Sequence, residues 1–144
     1  MSAPAQSIGP LSASLHVGVG GAIGAILRYQ AGRAMAGLAG SADAASFPWA
    51  TLTVNVLGSL AMGLLFGWLA RDGSAVVGAE PVRLLLGVGL LGGFTTFSTF
   101  SLDMMLMIER GQPALALTYA AVSIVAGLTG LYLGLALTRM LGQG

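Results

Sequence analysis

Four long apolar stretches, separated by short polar segments, divide this 144-residue chain. We place them at residues 15–38, 49–70, 83–108 and 113–141. Each is long enough to cross a bilayer as a helix, which takes about 20 apolar residues. Residues 1–14 carry Pro4 and Pro10 and no positive charge, so we expect a disordered leader rather than a secretory signal. The pattern predicts an all-α membrane protein with a single four-helix domain, residues 15–141.

The third stretch contains a segment that suits a helix poorly. Residues 92–103 read G-G-F-T-T-F-S-T-F-S-L-D, and paired glycines followed by β-branched and aromatic residues have low helix propensity. We therefore expect the third transmembrane helix to be broken in the middle of the membrane. Such a break is tolerated only where protein or a water-filled cavity satisfies the freed backbone groups. The break is thus a sign of function.

Polar and small residues recur at helical spacing in the other three stretches. They are Gly20, Gly24 and Arg28 in the first, Thr51, Asn55 and Ser59 in the second, and Tyr119, Ser123 and Gly127 in the fourth. Small residues four apart let helices approach closely, so Gly20 and Gly24 predict a packing seam. Taken alone, Asn55 also fits an interhelical hydrogen bond. Arg28 alone also fits a side chain that extends to the membrane surface.

Composition excludes several classes of protein. A chain that is 56% hydrophobic and 8% charged, with a mean hydropathy of +0.87, is not a soluble domain. The absence of cysteine excludes disulfides and thiolate metal sites. A net charge of +1 without a Lys/Arg run gives no reason to expect nucleic acid. The sequence shows no His pair or carboxylate pair with catalytic spacing, so we predict no enzyme activity.

The distribution of arginines gives little orientation preference. Four spans place Arg71, Arg83 and Arg139 on one side of the membrane, and Arg33 and Arg110 on the other. Orientation normally follows the Lys/Arg bias of the short loops. With so small a bias the chain can insert both ways, and two oppositely inserted copies can pair about a two-fold axis. We therefore predict an antiparallel, dual-topology homodimer.

The residues after the expected break have anion-binding chemistry. If the helix resumes there, Phe97 and Phe100 are three apart on it, and Thr99 and Asp103 are four apart. Phenyl rings have electropositive edges, and hydroxyl and amide groups donate hydrogen bonds. Together they suit a small, strongly hydrated anion that must lose water. Two alternatives stay open: the rings only pack or face lipid, or the free carbonyls of the break bind a cation.

Three segments carry a family resemblance. They read G-G-A-I-G-A-x-x-R-Y at 20–29, T-L-T-V-N-V-x-G-S at 51–59 and G-G-F-T-T-F-S-T-F-S at 92–101, and a looser match is Y-x-x-x-S-x-x-x-G at 119–127. With these motifs the chain resembles the small bacterial fluoride channels of the CrcB/Fluc family. The resemblance implies passive export of fluoride through the cell inner membrane, giving fluoride resistance. It also implies an antiparallel homodimer with two pores.

The resemblance further implies roles for individual residues. Main-chain carbonyls of Gly92 and Thr95 from each copy would hold a structural Na⁺ at the dimer centre. Phe97 and Phe100 would face fluoride. The other implied pore residues are Asn55 as a donor, Ser98, Thr99, Tyr119, Ser123 and Thr129 as an outer polar track, and Arg28 near the vestibule. Asp103 is a departure, because many members carry Glu there, and the role of this acid near the pore is therefore an open question.

Two other functions fit the sequence less well. A dual-topology exporter of cationic drugs also pairs four short helices, but it needs a buried carboxylate deep in its first span. The first stretch contains none. A purely structural subunit would not explain why Gly, Thr and Phe cluster in the third stretch.

Overall fold

The computed structural model describes residues 8–43, 47–70 and 79–142, which are almost entirely helical. We number the helices α1 (Pro10–Asp43), α2 (Trp49–Leu69), α3 (residues 80–94), α4 (Phe97–Glu109) and α5 (Pro113–Leu141). Helices α3 and α4 are the two halves of one span, Glu80–Glu109. Among the described residues, four helical segments are therefore long and apolar enough to cross a membrane. This confirms the predicted all-α class and the four spans.

Helix α1 is longer than the sequence pattern predicted. It begins at Pro10 rather than Leu15, so residues 10–14 of the predicted leader are helical. Proline suits the first turn of a helix because its missing N–H needs no partner there. The Ser14 hydroxyl also donates to the Pro10 carbonyl at 2.9 Å. Residues 1–7 of the predicted leader lie outside the described residues.

Glycines let α1 pack closely on α3, as the predicted seam required. A Cβ atom at Gly20 would clash with the Leu85 carbonyl oxygen, and one at Gly24 would clash with the Leu90 carbonyl oxygen. On the facing helix, a Cβ at Gly93 would lie 2.5 Å from the Gly21 carbonyl oxygen. The two backbones are therefore in direct contact, which only glycine permits.

A second glycine seam joins α2 to α5. A Cβ at Gly63 would clash with the Leu131 carbonyl oxygen, and one at Gly134 would lie 2.5 Å from the Leu60 carbonyl oxygen. Helix α4 also packs on α5. The chain thus forms two tightly packed helix pairs, α1 with α3 and α2 with α5, and the break in the third span lies where they meet.

Most of α3 is a π-helix. Residues Arg83–Leu91 form nine residues of π-helix between short α-helical pieces, Glu80–Val82 and Gly92–Phe94. The Gly92 N–H accordingly reaches the Gly87 carbonyl, five residues back. π-helices are rare, usually limited to a single turn, and often found near functional sites.

A glycine turn and a small core join α4 to α5. Gly111 adopts φ 74°, the left-handed conformation that ends helices, and the Gln112 N–H donates to the Met107 carbonyl at 2.9 Å. Met107 is fully buried and packs with Leu52, Ala116 and Tyr119. This core fixes α4 against α2 and α5.

Candidate functional site

The third span is interrupted at two residues only. Thr95 and Thr96 have extended backbones, with ψ values of 159° and 118°, midway along the Glu80–Glu109 span. Both glycines of the motif stay helical, so the break is shorter than the sequence predicted and begins after Phe94. The Leu91 carbonyl accepts from the Thr95 N–H at 3.0 Å and from its hydroxyl at 2.9 Å. The predicted helix break is confirmed.

Asn55 of α2 holds the break in place. Its side-chain amide donates to the Thr96 carbonyl at 3.1 Å, and its side-chain oxygen accepts from the Thr96 N–H at 2.8 Å. Both backbone polar groups of Thr96 are thereby satisfied, as a buried break requires. Asn55 was predicted as a pore-lining donor, and the structure adds an anchoring contact to the break.

The missing side chain of Gly58 brings α2 close to the break. A Cβ atom at this position would clash with Cγ2 of Thr95 and would lie 3.4 Å from Cδ1 of Phe94. Gly58 lies three residues after Asn55, on the same face of α2. The α2 surface is therefore shaped to receive Thr95 and Thr96.

Thr96 also starts the second half-helix. Its hydroxyl oxygen accepts from the Thr99 N–H at 3.2 Å, which is an N-cap, and the hydroxyl donates to the Thr99 Oγ1 at 3.0 Å. The Ser98 hydroxyl lies 3.3 Å from the Thr96 hydroxyl oxygen. Ser98 and Thr99, two predicted site residues, thus belong to one hydroxyl cluster at the positive end of α4.

The two phenylalanines predicted to face the anion lie side by side. The centroids of the Phe97 and Phe100 rings are 5.7 Å apart. Phe97 is 80% exposed in the single chain, whereas Phe100 is half-buried and its ring lies 5.1 Å from that of Tyr119. Phe97 is therefore available to a neighbouring molecule, and Phe100 is held by α5.

Tyr119 joins the rings to the polar residues. Its side chain is fully buried, with a relative exposure of 0%, and its hydroxyl donates to Oδ2 of Asp103 over 3.5 Å. Thr51 and Ser123 also lie beside this hydroxyl. The Ser123 hydroxyl oxygen is itself buried, and although it faces the Tyr119 hydroxyl, no hydrogen bond of standard geometry joins it to another described residue. Asp103, Tyr119 and Ser123 are thus brought together as one polar group.

An open groove runs along the break. It has a volume of about 350 Å³, and its lining includes Asn55, Thr95, Thr96, Phe97, Phe100 and Ser123. A second cavity of about 410 Å³ lies on the other side of Thr96, lined by Arg28, Tyr29, Thr51 and Thr99 among others. Thr96 borders both cavities. Arg28 makes no ion pair with any residue in the described ranges, so no acidic side chain among them neutralises its charge beside this cavity.

Thr129 lies apart from this group. It borders a third cavity, of about 580 Å³, whose other lining residues are apolar or glycine, including Val56, Leu60 and Val125. Thr129 is six residues after Ser123, which turns it to a different face of α5. Its role in the fluoride path stays a prediction.

Two residues of the site were not among the site residues predicted from sequence. Thr96 anchors and caps the break, but Thr95 and Thr99 close to it have the same side chain, so no pattern distinguishes it. Thr51 lies beside Tyr119 and had a usable signal, since it precedes Asn55 by four residues in the polar stripe of α2.

The fold and the site define a class of protein: a four-span membrane protein whose broken third helix borders a groove lined by two phenyl rings and by hydroxyl groups. The family model described as CrcB-like protein, Camphor Resistance (CrcB), matches residues 15–135. The chain therefore belongs to the CrcB family.

Relatives match along nearly their whole length. The fluoride-specific ion channel FluC of Novosphingobium aromaticivorans is 55% identical over 129 residues, covering 90% of this chain and 98% of the relative. FluC of Erythrobacter litoralis is 52% identical over 135 residues, covering 94% and 98%. FluC of Sphingopyxis alaskensis is 50% identical over 123 residues, covering 85% and 92%. These relatives are named as ion channels, so the family is not one of enzymes.

Proposed function

We propose that this protein is a fluoride-selective channel. The observation that carries the proposal is the break at Thr95 and Thr96, which places Phe97, Phe100 and the partnerless Ser123 hydroxyl around one groove. Buried hydroxyls normally have a partner, so an unpaired one facing a groove suits a passing anion or its water. Relatives that are about half identical to this chain are named fluoride-specific ion channels, which supports the same conclusion.

The lining suits fluoride because it offers donors without strong positive charge. A small anion that loses water needs replacement hydrogen bonds, which the Ser123 hydroxyl on the groove can supply. The edges of Phe97 and Phe100 add weak electropositive contacts. Arg28 raises the anion concentration in the second cavity without lining the groove itself. Weak, successive contacts favour conduction over trapping.

The functional unit is proposed to be an antiparallel homodimer. Phe97 is largely exposed in one chain although it is central to the groove, so a second copy is needed to enclose the path. The nearly balanced arginines allow the two copies to insert in opposite directions. Two copies related by a two-fold axis then form two equivalent grooves.

A structural Na⁺ between the two breaks fits the backbone. The carbonyl oxygens of Gly92 and Thr95 accept no hydrogen bond from any residue that the structure describes. Gly92 lies in the last helical turn of α3 and Thr95 in the break, and carbonyls at half-helix ends and in unwound backbone are typical Na⁺ ligands in membrane proteins. The described residues contain no cluster of acids or histidines for a metal, so main-chain oxygens are the available ligands. Bound there, the cation would join the two copies and offset the negative ends of both α3 helices.

We place the channel in the cell inner membrane, where passive conduction lowers internal fluoride and gives fluoride resistance. The test is fluoride efflux from liposomes that contain purified protein, followed with a fluoride electrode. Flux of fluoride with at most trace flux of chloride is expected. Equal flux of both anions, or none of fluoride, would contradict the proposal.

The dual topology has a separate test. The chain has no cysteine, so a single Gln112→Cys substitution in the exposed α4–α5 turn gives one reactive site. We expect an impermeant thiol reagent added to intact cells to label about half of the protein, with the rest labelled after lysis. Complete labelling, or none, before lysis would show one orientation.

A further inference from the structure

Five aromatic rings form an unbroken series from the start of α2 to the helix break. Their order is Trp49, Phe47, Tyr119, Phe100 and Phe97. Adjacent ring centroids are 4.6, 5.4, 5.1 and 5.7 Å apart. Phe97 and Phe100 line the groove, and Tyr119, a predicted pore residue, packs on Phe100. Phe47 lies outside the groove but touches Tyr119.

Phe47 and Phe100 both pack against the Tyr119 ring. The Phe47 and Tyr119 rings meet at 85°, an edge-to-face contact, whereas Phe100 lies tilted at 41° against Tyr119. Tyr119 has no exposed surface, so its side chain can tilt only if a neighbouring side chain moves. Phe47 is in turn fixed by its contact with Trp49 and by the Trp49 N–H, which donates to the Phe47 carbonyl at 2.9 Å.

The tilt of the Tyr119 side chain about its Cα–Cβ bond sets the position of its hydroxyl, because the oxygen lies on the axis about which the ring itself rotates. That hydroxyl reaches Asp103 over 3.5 Å, already a long contact, and lies beside Thr51 and Ser123. A hydrogen bond at this distance weakens steeply with further displacement. A small tilt of the side chain would therefore remove the hydroxyl from the polar group.

We propose that Phe47 is a positioning residue for fluoride conduction, acting through the Tyr119 hydroxyl. The inference rests on the proposed channel function and deepens it, because it assigns a determinant of the path to a residue that lies before α2. An edge-to-face pair of this kind corresponds to about a two- to twelvefold change in an equilibrium between two positions of the Tyr119 side chain. Leucine at position 47 would fill most of the space but would present no ring edge.

The test is the unitary fluoride conductance of the full-length protein in planar bilayers. Conductance is measured for each open channel, so a lower folded fraction does not change it. We expect Phe47→Leu to reduce it by about two- to twelvefold, by the same side-chain equilibrium. Phe47→Trp, which keeps a ring edge, should restore most of it. Phe66→Leu on α2, whose ring is outside the series, is the matched control and should leave conductance unchanged.

A double-mutant cycle with Tyr119→Phe tests the route of the effect. Tyr119→Phe keeps the ring and removes the hydroxyl, so adding Phe47→Leu should cause no further loss. A multiplicative loss, or a Phe47→Leu conductance equal to that of the wild type, would overturn the proposal. If Phe47→Leu does not assemble, Phe47→Met replaces it in both measurements. A wild-type protein that shows no fluoride conductance would instead contradict the channel function itself.

Discussion

The side chain of Asn55 binds both backbone polar groups of Thr96, donating to its carbonyl at 3.1 Å and accepting from its N–H at 2.8 Å. One amide thus replaces the two intrahelical bonds that Thr96 gives up. A buried backbone group left without a partner costs about 1–3 kcal/mol, so the interruption depends on this residue. The helix break therefore depends on a side chain of α2 as well as on the residues of the third span.

The first prediction concerns Asn55→Asp. An ionised carboxylate can still accept from the Thr96 N–H, but it cannot donate to the Thr96 carbonyl and would repel it. We expect fluoride efflux to fall by more than about tenfold, since each 1.4 kcal/mol is a factor of ten, while the proposed dimer still elutes as the wild-type protein does on size-exclusion chromatography. Gln30→Glu, the same amide-to-acid change at an exposed position of α1, should have little effect. Wild-type efflux from Asn55→Asp would mean that the break does not need its donor.

The second prediction concerns Phe97→Ile. Because Phe97 is 80% exposed in the single chain, losing its ring should cost the fold less than about 1 kcal/mol. We nevertheless expect fluoride efflux to be abolished, since the ring edge is lost from the groove. Leu102→Ile, at an exposed position of the same half-helix, is the control for β-branching in α4. Retained efflux in Phe97→Ile would remove this ring from the path.

The third prediction concerns Thr96→Val. The substitution preserves shape but removes the N-cap to Thr99, which is worth about 1 kcal/mol. We expect a lower melting temperature in detergent and reduced efflux, because the first turn of α4 carries Phe97 and Ser98. Thr118→Val removes a hydroxyl that bonds only to the Ala114 carbonyl of its own helix, and should change neither. Equal melting temperatures for the two variants would argue against a structural role for the cap.

The fourth prediction concerns the seam between α1 and α3. In Gly24→Ala the new methyl would overlap the Leu90 carbonyl, and overpacking of this kind costs about 1–3 kcal/mol. Gly18→Ala places a methyl in open space on the same helix and should be neutral or slightly stabilising. The stabilities of the two variants are compared by melting curves, with size-exclusion chromatography as the readout. Similar stability of both variants would show that the seam relaxes at little cost.

The spans and the break were predictable because they depend on local composition. Apolar length placed all four spans, and the Pro113–Leu141 helix was confirmed at both ends. Propensity located the break but not its extent, since Gly92 and Gly93 remain helical. The close contact of Gly93 with Gly21 of α1 supplies packing energy that offsets the low helix propensity of glycine. The π-helical form of Arg83–Leu91 was missed because the hydrophobic pattern of so short a segment does not distinguish a π-helix from an α-helix.

The candidate site was predicted as a set of residues but not as a geometry. Spacing within one helix correctly paired Phe97 with Phe100. Contacts between helices were beyond that reasoning, so neither the Asn55–Thr96 anchor nor the Phe47–Tyr119 contact was expected. Phe47 was missed because it lies in the segment between the first two predicted spans, residues 39–48. Assigning that segment to a loop does not predict where an aromatic side chain packs.

The π-helical segment of α3 lets the third span absorb the loss of a residue. A π-helical turn contains about one more residue than an α-helical turn, so deleting one residue, such as Val88, would allow an ordinary α-helical turn to form. The residues beyond would keep their orientation relative to α1, and Thr95 and Thr96 would still face Asn55 and Gly58. The same deletion in a purely α-helical segment would rotate everything beyond it by about 100°, the angle of one helical residue. The π-helical segment is therefore the part of the third span where chain length can change while the site keeps its geometry.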